Sequence, residues 1–256
     1  MRIKLLSDKP RGEVCKKALI KEGFRLVDEN PDIIVVAGYG RLLKKEEYEN
    51  VKYGAINLHA GPLPEYKGAS PLNWLIIDDR LDFEISIIQI DEGIDTGDIL
   101  AQQKVFIMDS DNIESLSKRV DETYASMLPE LLDRISVGEA KRERHIGGSR
   151  MTRRFPKDHL ILWDMMSAEE VHNLVRASKK GDYPAFTYNG TNRINIYKTS
   201  LTGDFFGVPG RVAYKNESVV VICKDSGIEI LDYDGHFPRV GEDLLTVKGF
   251  IYESLI

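Results

Sequence analysis

Two residues in one short stretch have the types and spacing for chemistry. In "GAINLHAGPLPEYKGASPLNW", residues 54–74, Asn57 and His59 stand two apart inside an apolar run. In a strand, residues i and i+2 share a face, so both side chains can project from the same side of the strand's end. Pro62 and Pro64 follow, and each fixes φ and removes a donor, so the chain must leave as an extended loop. A second loop, "IDEGIDTGDI" at 90–99, offers Asp91, Glu92, Asp95 and Asp98. An Asn amide can donate to a carbonyl oxygen as negative charge builds on it. A carboxylate beside His59 would orient the ring and favour its protonated form. Asn, His and Asp together read as acyl-transfer chemistry without a nucleophilic Ser or Cys. By itself an N-x-H pair is more often structural, and an acidic Gly-rich loop is more often a solvated turn.

These residues need elements to hold them. "IKLL" (3–6) reads as a strand, and "RGEVCKKALIKEGF" as a helix stopped by Gly23. "DIIVVAG" (32–38) is a continuous apolar run, the pattern of a strand buried on both faces. "KKEEYEN" (44–50) reads as a short polar helix, and "GAINLHA" as the next strand. This alternation predicts an α/β unit with a parallel sheet, whose ligands sit at the carboxyl ends of the strands. "FEISIIQI" (83–90) and "QQKVFIM" (102–108) read as further strands. The apolar spacing predicts a helix from about Asn112 to Ser136, with Ser110 and Asp111 as capping candidates and Gly138 at its end. Pro129 is expected to kink or split it. "GEAKRERHIGGSRMTRRF" (138–155) breaks the pattern with basic residues and glycines. The expected division is therefore a catalytic domain over 1–140, a basic linker over 141–155 and a second domain over 156–256. In the last, Ser167 and Glu170 form a capping box before a helix. Short β-type runs follow, spaced as in a small antiparallel barrel or sandwich.

The composition narrows the partners. The formal charge is −6, which weighs against a nucleic-acid backbone as the main partner. Cys15 and Cys223 alone make no disulfide framework, zinc site or CxxC motif, so a reducing, cytoplasmic setting is expected. No signal peptide or membrane-length apolar run is evident, and no metal is expected. "AGYGRLL" lacks the third glycine of a dinucleotide fingerprint. His145, His159, His172 and His236 share no spacing and read as surface or internally satisfied histidines.

"INLHAGPLPEYKGASPLNW" followed by "DEGIDTGDIL" resembles the 10-formyltetrahydrofolate-dependent formyltransferase superfamily, whose motif pairs an N-x-H with a D-x-G-x-D-[TG]-G segment; here Asp95 lies 36 residues beyond His59. "RRFPKDHLILWD", "SAEEVHNLVRA", "YPAF" and "GVPGRV" look like the C-terminal domain of the same superfamily. The chain departs from the pattern at Lys67-Gly68, at Pro184-Ala185-Phe186, and in how early Asn57 comes. The resemblance implies a Rossmann-like, mostly parallel sheet, shortened at the N-terminus, followed by a small OB-like barrel. It implies 10-formyltetrahydrofolate as co-substrate and Asn57, His59 and Asp95 as catalytic residues. Asn57 and a protonated His59 would stabilise the tetrahedral oxyanion while Asp95 holds His59 and relays the amine's proton. Tyr39, Gly40, Leu42, Ile90 and Asp91 are candidates for the folate pocket by position. Lys67, Trp74, Arg153 and Arg154 are candidates for binding the acceptor. The wording is most like the sugar-nucleotide N-formyltransferases, so the expected acceptor is an amino-deoxysugar nucleotide, with a homodimer implied by the same likeness. Methionyl-tRNA is the alternative acceptor, and a non-catalytic folate- or nucleotide-binding paralogue is a further alternative.

Overall fold

The computed structural model describes residues 1–244 and Thr246. In chain order the elements are β1 (Arg2–Leu6), α1 (Pro10–Lys21), β2 (Arg25–Leu26), β3 (Ile33–Val36), β4 (Ala55–His59), β5 (Lys67–Gly68), α2 (Pro71–Ile77), β6 (Asp82–Gln89), β7 (Ile99–Phe106), α3 (Ile113–Val137), β8 (Arg150–Met151), α4 (Ala168–Arg176), β9 (Ala185–Asn189), β10 (Asn192–Leu201), β11 (Val212–Lys215), β12 (Ser218–Ile222) and β13 (Gly227–Asp234). The chain divides into two compact units. One comprises Met1–Leu72, Arg80–Ser110 and Glu114–Arg153; the other comprises Asn73–Asp79, Asp111–Ile113 and the chain from Arg154 onward.

The first unit is built on a six-stranded sheet ordered β2-β1-β3-β4-β6-β7. The pairs from β2 through β4 are parallel, and β6 and β7 add antiparallel. All four residues of β3 are buried, as a strand covered on both faces requires. The short polar helix expected at 44–50 is a single 3₁₀ turn, Lys45–Glu47. α1 ends where Gly23 takes φ +81, and α3 ends at Gly138 with φ +76. There Gly138 N–H donates to Ile135 O and Glu139 N–H to Arg134 O, a Schellman-type closure. Of the kink or split expected at Pro129, the split does not occur: α3 continues through the proline. A mid-helix proline costs about 3 kcal/mol. Leu128, Leu131 and Leu132 beside it are buried, and burial contributes about 1.5–3 kcal/mol for each such side chain, which outweighs the lost bond.

The second unit is built on a five-stranded antiparallel sheet ordered β11-β12-β13-β10-β9. α4 starts with the expected capping box: Glu170 N–H donates to Ser167 Oγ and Ser167 N–H to Glu170 Oε2. Trp163, Val171, Ile194, Val221 and Ile228 are central in its core. Trp163 Nε1–H donates to Thr187 Oγ1, so the largest buried ring carries no unsatisfied donor. His159 is also internal. Its Nδ1–H donates to Ser178 Oγ, which donates onward to Leu174 O. Burial, helped by the nearby Arg154 charge, pushes the His159 pKa down to about 4.

That shift has a stability consequence with a definite sign. The folded state keeps His159 neutral, whereas the unfolded chain protonates it near its ordinary value of about 6.5. Between those values the unfolded state binds the extra proton, so stability falls as pH falls. Denaturant unfolding at pH 7 and pH 4.5 is expected to show a loss of about 1–3 kcal/mol attributable to this group. The His159→Asn variant, which keeps a donor toward Ser178, should lack that part of the loss; an equal loss in both proteins refutes the assignment.

Candidate active site

β4 presents the two residues that opened the sequence analysis. Asn57 pairs with Ile88 and His59 with Ser86 across the β4–β6 ladder. On its other side β4 pairs with β3 only as far as Val36↔Asn57, so the last two residues extend past that neighbour. The Leu58 carbonyl between the two site residues takes a hydrogen bond from Arg11 Nη1 at 3.1 Å. Arg11 is in turn fixed by Asp121 at 2.7 Å, in an ion pair that is nearly buried, and by the Tyr124 ring at 4.9 Å. A buried pair of this kind holds a backbone position more than it adds stability. Neither Arg11 nor Asp121 was legible as part of the site, because 110 residues separate them.

Of the four carboxylates left open by the residue pattern, three take separate roles. Asp91 Oδ1 accepts from Gly93 N–H and Thr96 Oγ1, so Asp91 staples its own loop. Glu92 pairs with Lys45 across the surface. Asp95 is the one that reaches β4. Its Oδ1 accepts from Asn57 Nδ2 at 3.2 Å, and its Oδ2 lies 3.3 Å from His59 Nδ1. Oδ2 also accepts from Gly68 N–H at 2.8 Å. Asp95 holds φ +52, a left-handed conformation that costs a non-glycine residue roughly 1–2 kcal/mol. The loop lies flat on β6: a Cβ on Gly97 would fall 1.8 Å from Gln89 O, so no larger residue fits there unmoved.

His59 is 4% exposed, and its other ring nitrogen, Nε2, is 2.8 Å from Tyr66 O. A carbonyl only accepts, so Nε2 carries a proton in this contact. Burial pushes the His59 pKa down, outweighing the upward pull of Asp95 and of the Tyr66 carbonyl; the Arg11 charge adds to the fall. Burial therefore opposes the protonated form expected during transfer and favours a neutral ring at rest. A carboxylate partner was legible in the sequence, but the desolvation that opposes it was not. With Nε2–H on Tyr66, the bare Nδ1 faces Asp95, a geometry completed by one added proton.

The candidates for the folate pocket sit around the carboxyl end of β3. Tyr39 and Ile90 pack with Leu43 and Tyr48 against Ile34, Val36 and Ala55. Leu42 is 69% exposed, and Gly40 N–H donates to Asp8 Oδ2 at 2.7 Å. Ile90 N–H donates to Ala55 O. This apolar wall with exposed backbone beside it suits a flat heteroaromatic ring, which fits the implied co-substrate. Among the described residues no cluster of His, Cys, Asp or Glu could hold a metal ion, and no helix is long and apolar enough to cross a membrane.

The candidates for binding the acceptor take different positions. Lys67 is buried and its Nζ donates to Gly147 O at 2.6 Å. Arg153 is exposed at the end of the first unit. Trp74 and Arg154 belong to the second unit, where the guanidinium lies 5.9 Å from the Trp74 ring centroid. Arg154 is 7% exposed and donates to Ala177 O and Asp158 O. Burial lowers its pKa to about 10. The site also uses two backbone groups that no residue pattern announced, Tyr66 O and Gly68 N–H.

Comparison with known proteins supplies the family context. The family model described as formyl transferase matches residues 14–132, and that of the formyl transferase C-terminal domain matches 155–235. The chain is 33% identical over 232 residues to the methionyl-tRNA formyltransferase of Thermodesulfovibrio yellowstonii, covering 89% of this chain and 72% of that protein. Among solved structures, HypX from Aquifex aeolicus in complex with tetrahydrofolic acid superposes with a TM-score of 0.74 at 19% identity. That match covers 93% of this chain but only 44% of HypX. The formyltransferase PseJ from Anoxybacillus kamchatkensis, in complex with UDP-4,6-dideoxy-4-formamido-L-AltNAc and tetrahydrofolate, gives a TM-score of 0.51 at 26% identity, covering 59% of this chain and 85% of that one.

Proposed function

The chain belongs to the formyl transferase family, and on that premise we propose that Asn57, His59 and Asp95 carry formyl transfer from 10-formyltetrahydrofolate to the primary amine of methionyl-tRNA. It is a formyltetrahydrofolate-dependent N-formyltransferase. The observation behind the residue assignment is the convergence of all three side chains, with Asp95 contacting both Asn57 and His59.

The folate supplies the formyl carbon, attached to nitrogen as an amide. The acceptor amine attacks that carbon, a C–N bond forms, and the carbonyl oxygen gains negative charge. Asn57 uses one N–H on Asp95 and keeps its second to donate to that oxygen. The amine must lose a proton, and the departing folate nitrogen must gain one when its bond to carbon breaks. The neutral His59–Asp95 pair can hold the proton between those events. Tyr39, Leu42 and Ile90 would hold the folate; their apolar surface excludes water from the reacting carbon.

The acceptor assignment is supported by the methionyl-tRNA formyltransferase relative and by charge. Lys141, Arg142, Arg144, Arg150 and Arg153 are all exposed along one segment of the first unit. Such a run complements a phosphate backbone, despite the negative charge of the whole chain. A second reading keeps the amino-deoxysugar nucleotide as acceptor. PseJ's bound nucleotide sugar favours it, and the same cations could hold a diphosphate.

The deciding experiment follows tetrahydrofolate release from 10-formyltetrahydrofolate with methionyl-tRNA or with a UDP-4-amino-4,6-dideoxysugar. Turnover with methionyl-tRNA that falls steeply between 50 and 200 mM salt, as expected for phosphate contacts, supports the first reading. Turnover with the nucleotide sugar alone replaces it with the second, and silence with both overturns the catalytic assignment.

A further inference from the structure

We propose that the segment Glu143–Met151 is a working part of the transfer site, a strap in which His145 is a positioning residue for the loop that carries Asp95. The proposal rests on the assignment of Asn57, His59 and Asp95 above. The two family models match residues 14–132 and 155–235 and leave residues 133–154 between them.

The strap is tied to both loops that meet at His59. Toward the loop bearing Asp95, Glu143 and Ile99 exchange both backbone hydrogen bonds, at 2.8 and 2.9 Å. His145 Nε2–H donates to Gly97 O at 3.0 Å, two residues beyond Asp95. Toward the loop bearing Tyr66 and Gly68, Ser149 Oγ donates to Glu65 O, and Lys67 Nζ donates to Gly147 O at 2.6 Å. β5 and β8 then pair in parallel, Lys67 with Arg150 and Gly68 with Met151. Contact is so close that a Cβ on Gly148, at φ +81, would lie 1.7 Å from Pro64 O. The two loops therefore share one fixed reference. The first supplies Tyr66 O to His59 and Gly68 N–H to Asp95; the second supplies Asp95 itself.

His145 is the side chain that joins the strap to the catalytic loop. Because Gly97 O can only accept, the proton sits on Nε2, while Nδ1 is buried without a partner among the described residues. Only the Nε2 position does the positioning. This separates two conservative replacements. Gln places its amide nitrogen near the Nε2 position and can still donate to Gly97 O, whereas Asn reaches only the Nδ1 position and cannot.

The test uses the full chain and the variants His145→Asn and His145→Gln. Amide hydrogen exchange at Gly68 and at Thr96–Asp98 is measured beside kcat and KM for formyl transfer. Expected for His145→Asn are faster exchange at those amides and a kcat lower by about tenfold, with KM for the formyl donor nearly unchanged. His145→Gln should restore both. Unchanged exchange and kcat in His145→Asn overturn the proposal, as does a Gln variant no better than the Asn variant. If the unmodified protein turns over no acceptor, the transfer assignment fails, and the exchange pattern alone decides whether the strap positions the loop.

Discussion

His59→Ala is expected to lower kcat for formyl transfer by on the order of 10²–10⁴-fold, the range for loss of a positioned acid–base group. The argument is geometric. His59 bridges Tyr66 O on one loop and Asp95 on the other, and it is almost wholly buried. Its removal leaves Asp95 without the partner that receives the amine's proton. A buried cavity and an unpaired carbonyl also result, so the variant should be less stable by about 1–3 kcal/mol. A melting curve separates the two effects: a folded but inactive variant supports the chemical role. In the unmodified protein the depressed pKa keeps His59 neutral below the ordinary histidine value. Activity is therefore expected to persist as pH falls through 6.5 and to decline only at more acid pH. Wild-type kcat in the folded Ala variant would remove His59 from the mechanism.

Asp95→Asn is expected to lower kcat by about a hundredfold or more while changing the molecule's shape very little. Both oxygens of Asp95 accept: Oδ1 from Asn57 Nδ2, and Oδ2 from Gly68 N–H. An amide puts N–H₂ on one of these positions, where it opposes another donor. It also removes the negative charge that pulls the His59 pKa upward, so the ring is a poorer proton acceptor. The residue's left-handed backbone offers a control. Asp95→Gly relieves the conformational cost at φ +52 yet deletes the carboxylate. It should stay folded and be at least as inactive as the Asn variant. An active Gly variant would mean that Asp95 serves only the turn.

The readable part of the site was local. Alternation in "AINLH" put Asn57 and His59 on one face, and glycine and proline punctuation marked both loops. The same signals placed β3, β4, α1, α4 and the strands of the second unit, because each depends on residues a few positions apart. Two positions took their surroundings from tertiary packing. Pro129 was expected to kink or split the long helix; α3 is not split there, and buried leucines surround the proline. Arg154 was a candidate for binding the acceptor; its guanidinium is buried in the second unit and donates to two carbonyls.

By itself the sequence determined the residue types, their spacing and the family they resemble, since these follow from one-dimensional order. The resemblance pointed to Asp95, but only the tertiary structure decided how Asp95 meets β4, how far burial opposes a charge on His59, and which backbone groups complete the site. Those outcomes depend on burial and on approaches between distant segments, Arg11 to Asp121 and Lys67 to Gly147 among them. Electrostatic free energy varies with the surrounding medium far more than with sequence neighbours, so a charge state becomes legible only when the walls around it are in place.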